Sequence, residues 1–99
     1  MIRHLDDHIL ESIGEDIRTA QEHAKLEFVK EMSSALLRAP QGELFRQLMS
    51  DYCSKPEIYE KLGLNPDSED FYTDARYGAA IAWTRYTPEE HRQANQRAA

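Results

Sequence analysis

Ninety-nine residues, 40% apolar and 30% charged, form a single small globular chain, able to bury a modest core without metal or disulfides. The formal net charge of −6 opposes binding to phosphate backbones or anionic membranes, which need clustered Lys and Arg. Cys53 is the only cysteine, which excludes an internal disulfide, and no apolar run reaches the roughly 18 residues of a membrane span.

The start, "MIRHLDDHIL", carries charges where a signal peptide needs an apolar core, which predicts cytoplasmic synthesis. His4 and His8 stand at i and i+4, as zinc ligands on a helix do. The Glu of a zincin motif does not follow the first His, and His23 and His91 fit no ligand spacing. The histidines therefore read as solvated surface groups, and no cofactor is expected. From Leu5 to Leu37 the apolar positions repeat at helical spacing. Ile9, Ile13, Ile17, Ala20, Ala24, Phe28 and Met32 form a stripe among charged residues. A helix over 15–38 follows, with a shorter or continuous helix before it.

"APQG" at 39–42 is the clearest boundary, because Pro40 biases Ala39 away from helix. Pro40 or Gln41 then opens a helix on which Leu44, Phe45, Leu48, Met49 and Tyr52 share a face. In "SKPE", Ser54 reads as an N-cap with Pro56 in the first turn of a helix over 57–62, closed by Gly63. In "NPDSED", Asp67 or Ser68 caps the next helix, with Glu69 and Asp70 near its positive end. "TPEE" reads as a capping box opening a helix from Pro88 to about Arg97. The predicted fold is all-α, with four to five helices. Residues 1–38 form a long N-terminal helical segment and 39–99 a compact helical domain.

Within "FYTDARYGAAIAWTRY", Ala75, Gly78, Ala79 and Ala82 stand at i, i+3, i+4 and i+7, one continuous small face. Small residues let two helices approach to the lower end of the usual 8–10 Å range. That face either packs in the chain's own core or receives a partner. The spacing of "EIYEKLGLNPDSEDFYTDARYGAA" also suits a helix-turn-helix, but Asp67, Glu69, Asp70 and Asp74 would meet phosphates with like charge. Cys53 has no sharp turn or oxyanion loop beside it, and the carboxylate pairs lie at helix starts or on polar faces. No catalytic set emerges, and an enzyme is not expected.

The stretch 39–86 resembles a small domain family of tailed bacteriophages named after a protein of a Bordetella phage. Pro40, Gly42, Leu48, Met49 and Cys53 match its first helix, and Phe71, Arg76, Gly78 and Ile81 its second. Glu43 stands where members often carry Arg. The resemblance implies a non-enzymatic phage protein acting by protein–protein contact in the virion or its assembly, located in the host cytoplasm or the particle. Alternatives are an early phage protein that inhibits a host enzyme and a small terminase-like DNA-packaging subunit. The expected partners are a second copy or a phage structural protein. The residues expected to meet them are Ile17, Ala24, Phe28 and Met32 on the long helix and Ala75, Gly78, Ala79 and Ala82 on the later one.

Overall fold

The computed structural model describes residues 5–38 and 42–98. Helix accounts for 77% of these residues, and none of them is in a strand, so the chain is all-α. Helix α1 spans Asp7–Thr19 and opens on Asp6, whose carboxylate accepts from the Ile9 N–H at 2.9 Å. α2 (Glu22–Phe28) runs directly into a π-helical turn (Val29–Ser33) and α3 (Ser34–Arg38), so 22–38 is one winding helix. α4 is Glu43–Ser54, α5 Pro56–Tyr59, α6 Phe71–Trp83 and α7 Pro88–Ala98.

The helix expected over 15–38 breaks at Ala20, whose backbone turns to φ −70° and ψ 137°. A spacing of four drifts by about 40° per step around a helix with 3.6 residues per turn. The three-residue step from Ile17 to Ala20 largely cancels that drift, so a straight helix would keep Ala24 and Phe28 within about 20° of Ile17. It would also extend about 36 Å, the full 35 Å length of the molecule. The break and the π turn re-aim the chain, and Lys25, Val29 and Leu36 become its buried positions.

α6 is the central helix. α1 crosses one side of it, α4 lies along another, and α2 with the π turn covers its first half. Leu10, Ile13 and Ile17 join Leu44, Phe45, Leu48, Tyr52, Leu62 and the alanines of α6 in one core. The first 38 residues thus share their core with the rest. The radius of gyration, 12.8 Å, is that of a compact domain of this length.

Several capping expectations hold. Thr87 and Glu90 form the reciprocal capping box, with Thr87 Oγ1 accepting from the Glu90 N–H and Glu90 Oε1 from the Thr87 N–H. Gly63 takes φ 76°, with Leu64 N–H donating to Tyr59 O and Gly63 N–H to Glu60 O, a Schellman closure. Other boundaries shift. Ser54 belongs to the last turn of α4, where its hydroxyl donates to Ser50 O at 2.6 Å, and Lys55 occupies the N-cap of α5. Ser68 and Asn65 accept from the backbone N–H groups of Asp70 and Asp67, so these side chains shape the loop and α6 starts later, at Phe71. Ala39, Pro40 and Gln41, the expected stop and restart, lie outside the described residues.

Two helical glycines separate backbone crowding from side-chain crowding. A Cβ on Gly14 would stand 2.5 Å from Leu62 O, a fixed backbone atom, whereas one on Gly78 would stand 3.0 Å from the movable tip of Ile17. On propensity alone Gly→Ala in a helix stabilises by about 1 kcal/mol. Gly14→Ala should reverse that sign and cost about 1–3 kcal/mol through overpacking, and Gly78→Ala should fall between the two. Urea unfolding of both variants measures this, and a stabilised Gly14→Ala would contradict the α1–Leu62 approach.

Candidate functional site

The eight residues expected to meet a partner divide between core and surface. Ala75, Ala79 and Ala82 are fully buried, and Gly78 is buried against Ile17, Tyr52 and Ile13. Ile17 itself is 2% exposed. These five fill the chain's own core, because α1 and α4 together cover the small face of α6. Met32 is half-buried against the core, and Phe28 is half-buried with its ring edge-on to Tyr77, centroids 5.2 Å apart. Ala24 alone is exposed. The stripe is therefore split between three environments and does not form one face.

Sequence reasoning missed Lys25. It is 6% exposed, and its ammonium donates to Asp74 Oδ1 at 2.8 Å, with Glu22 at 3.7 Å. Burial pushes the Lys25 ammonium down, but the hydrogen bond and charge of Asp74, with Glu22 and Asp70, more than offset it and hold the group above its usual value. The signal was present in the spacing of Lys25, Val29, Met32 and Leu36, which is helical and includes one charge. Arg76 was matched only by resemblance. Its guanidinium carbon lies 5.5 Å from the centre of the Tyr72 ring, and its Nε is shielded from solvent without an acceptor.

A cleft of about 310 Å³ opens between the start of α1, α4, α5 and Tyr86. Leu10, Leu48, Ile58 and Tyr52 line its apolar part. Its charged residues include two ion pairs, Lys61–Asp7 at 2.7 Å and Lys55–Asp51 at 3.2 Å. Burial, then the neighbouring Tyr86 and Asp51, push the Tyr52 hydroxyl far up from 10.0. The Cys53 thiol is half-buried, and burial pushes it up despite Arg76 nearby. His8 is exposed and His4 lies outside the described residues. His91 Nε2 lies 2.9 Å from Trp83 O, and the two rings meet edge-on. Among the described residues no three His, Cys, Asp or Glu side chains converge as metal ligands would. None of the described helices is long and apolar enough to cross a membrane.

With the geometry in hand, the chain matches no protein-family model, no curated protein and no solved structure.

Two variants test these placements. Phe28→Asp puts a carboxylate against Tyr77 and the core edge, so it should cost about 1–3 kcal/mol of stability; chemical denaturation showing no loss would mean that Phe28 faces outward. Tyr52 is held neutral in the fold, its value raised above the unfolded one. Its contribution is complete below pH 10 and is lost as pH rises, because the unfolded chain ionises first. Tyr52→Phe should therefore flatten the fall of stability above pH 10, by up to about 1.4 kcal/mol per pH unit. Parallel alkaline limbs for both proteins would contradict the burial of that hydroxyl.

Proposed function

We propose that this chain is a non-enzymatic protein–protein contact module, and that a tailed-phage virion or its assembly is its setting. The observation that supports contact is a pair of large apolar side chains left exposed on helices that are otherwise packed. Among the described residues, Leu26 and Tyr72 are the exposed large apolar ones, at 47% and 56% exposure. They sit on helices fastened to each other by the Lys25–Asp74 ion pair and the Phe28–Tyr77 ring contact. An aromatic held on a rigid helix loses little freedom on binding, which is what an interface anchor needs. The phage setting is supported by the resemblance of 39–86 alone.

The ionisable groups of the cleft favour this reading over catalysis. Asp7 and Asp51 are neutralised by lysines, and Tyr52 is moved away from neutral pH. Inhibition of a nucleic-acid enzyme by mimicry would want unbroken negative rows, whereas Glu15, Glu43, Asp51 and Glu89 each pair with a base one helical turn away. A DNA-packaging subunit would want clustered bases, against the net charge of −6.

Proteomics of purified particles and assembly intermediates tests the setting. The chain should be present in fixed ratio to a portal, capsid or packaging component, and Leu26→Glu with Tyr72→Ser should deplete it about tenfold or more while leaving helicity unchanged. Its absence from every particle fraction, or a host enzyme as its stoichiometric partner, would overturn the proposal.

A further inference from the structure

Most lysines and arginines whose side chains are described pair with carboxylates of the chain itself. Among these described side chains, Lys30, Arg38 and Arg76 have no such pair. Lys30 and Arg38 are exposed, but Arg76 is half-buried on the central helix. Its Nε is shut off from solvent and meets no acceptor. A guanidinium does not release its proton in a protein, so partial loss of water leaves it charged and under-solvated. An oxyanion in hydrogen-bonding contact is what meets that demand.

The acids of the same helix are committed elsewhere. Asp74 holds the Lys25 ammonium at 2.8 Å, and Asp70 adds its charge to the same group, on the side that α2 covers. Arg76 instead acts on the Cys53 thiol of α4, and its guanidinium carbon lies 5.5 Å from the centre of the Tyr72 ring. Tyr72 is itself 56% exposed. Of the three guanidinium nitrogens Nε alone is shut off, so the two Nη atoms are the reachable donors. A fixed cation thus stands beside an exposed ring with no internal acid facing it.

Resting on the protein–protein reading above, we infer that Arg76 is the recognition point for an acidic residue of the partner protein. A carboxylate docks end-on to its Nη atoms, while the apolar part of the same segment packs on Tyr72. One unpaired guanidinium matches one carboxylate in charge and in its planar fork. A phosphate dianion would want a second base, and Lys25 on α2 and Arg85 after α6 are engaged by Asp74 and Asp16. The ring beside Arg76 orients the guanidinium beforehand, so less side-chain freedom is lost when the carboxylate arrives. Arginine and tyrosine are also the residue types that concentrate energy at protein contacts. The contacting segment is therefore acidic, although the net charge of −6 taken alone would select a basic one.

Side-chain NMR of the full chain tests this, with the shielded Nε–H of Arg76 as reporter. The probe is the peptide acetyl-Leu-Glu-Leu-amide, with acetyl-Leu-Gln-Leu-amide and inorganic phosphate as controls. The Glu peptide should shift the Arg76 Nε–H and Tyr72 ring signals saturably, at roughly millimolar concentration. The Gln peptide should bind about tenfold more weakly. Arg76→Lys should lose part of the preference for Glu and Arg76→Gln all of it, with circular dichroism as the folding control. Should a variant fail to fold, the two peptides compared on the wild type still decide. Signals indifferent to the Glu peptide overturn the inference. Equal shifts with both peptides overturn it too, because the contact at Tyr72 would then be apolar only. Tighter binding of phosphate than of the Glu peptide overturns it in favour of a phosphorylated ligand. Each of these outcomes leaves the broader contact reading standing, since particle proteomics and the Leu26 and Tyr72 variants decide that separately.

Discussion

The fold depends on how closely other helices approach α6. Ala75, Gly78, Ala79 and Ala82 present almost no side-chain thickness on that helix, so Ile13 and Ile17 of α1 and Tyr52 of α4 reach its surface directly. Larger residues at these positions would push both neighbours outward at once, because they share one face. The same economy recurs where Gly14 lets α1 lie against the Leu62 carbonyl. Two close approaches hold α1 in place, one on α6 through Gly78 and one on the loop after α5 at Leu62. The larger residues that flank the small face, Phe71, Tyr77, Ile81 and Trp83, then close its edges as half-buried residues.

Lys25 and Asp74 explain why α2 follows a path of its own. A buried ammonium is tolerated only with a carboxylate in hydrogen-bonding contact, and 2.8 Å supplies that. The pair specifies where α2 crosses α6 more sharply than apolar contacts do, since a shift by one residue would strand a charge. Past the crossing, the π turn widens the helix over Val29–Ser33, and Val29 and Leu36 both face inward.

The local chemistry of helix ends was legible in the sequence where a residue has one physical use. Gly63 adopts the left-handed conformation that favours glycine, and Thr87 with Glu90 completes a box whose spacing is its own signature. Ser54 and Ser68 were less legible, because a hydroxyl accepts from a following N–H or donates to a preceding carbonyl with similar ease. The break at Ala20 has no glycine or proline to mark it. It follows from tertiary packing, from what Ile17 buries and what Lys25 requires. For the candidate site, the small face of α6 was visible as a packing face, but its occupant was not. Whether Gly78 meets a second chain or Ile17 of the same chain depends on a contact 61 positions distant in sequence. The isolation of Arg76 from any carboxylate is likewise a property of three dimensions, since Asp74 stands two residues away and faces Lys25 instead.

The distribution of charge sets limits on how such a chain meets others. Its excess of acid is spread over helices whose bases are mostly occupied by neighbours, so two copies approaching at random repel weakly and find little to hold. Specific contact then rests on apolar side chains left in solvent, of which Leu26 and Tyr72 are the large ones among the described residues. Because Ala75, Ala79 and Ala82 are committed to the core, the rotation of α6 is fixed and the Tyr72 ring is oriented before any partner arrives.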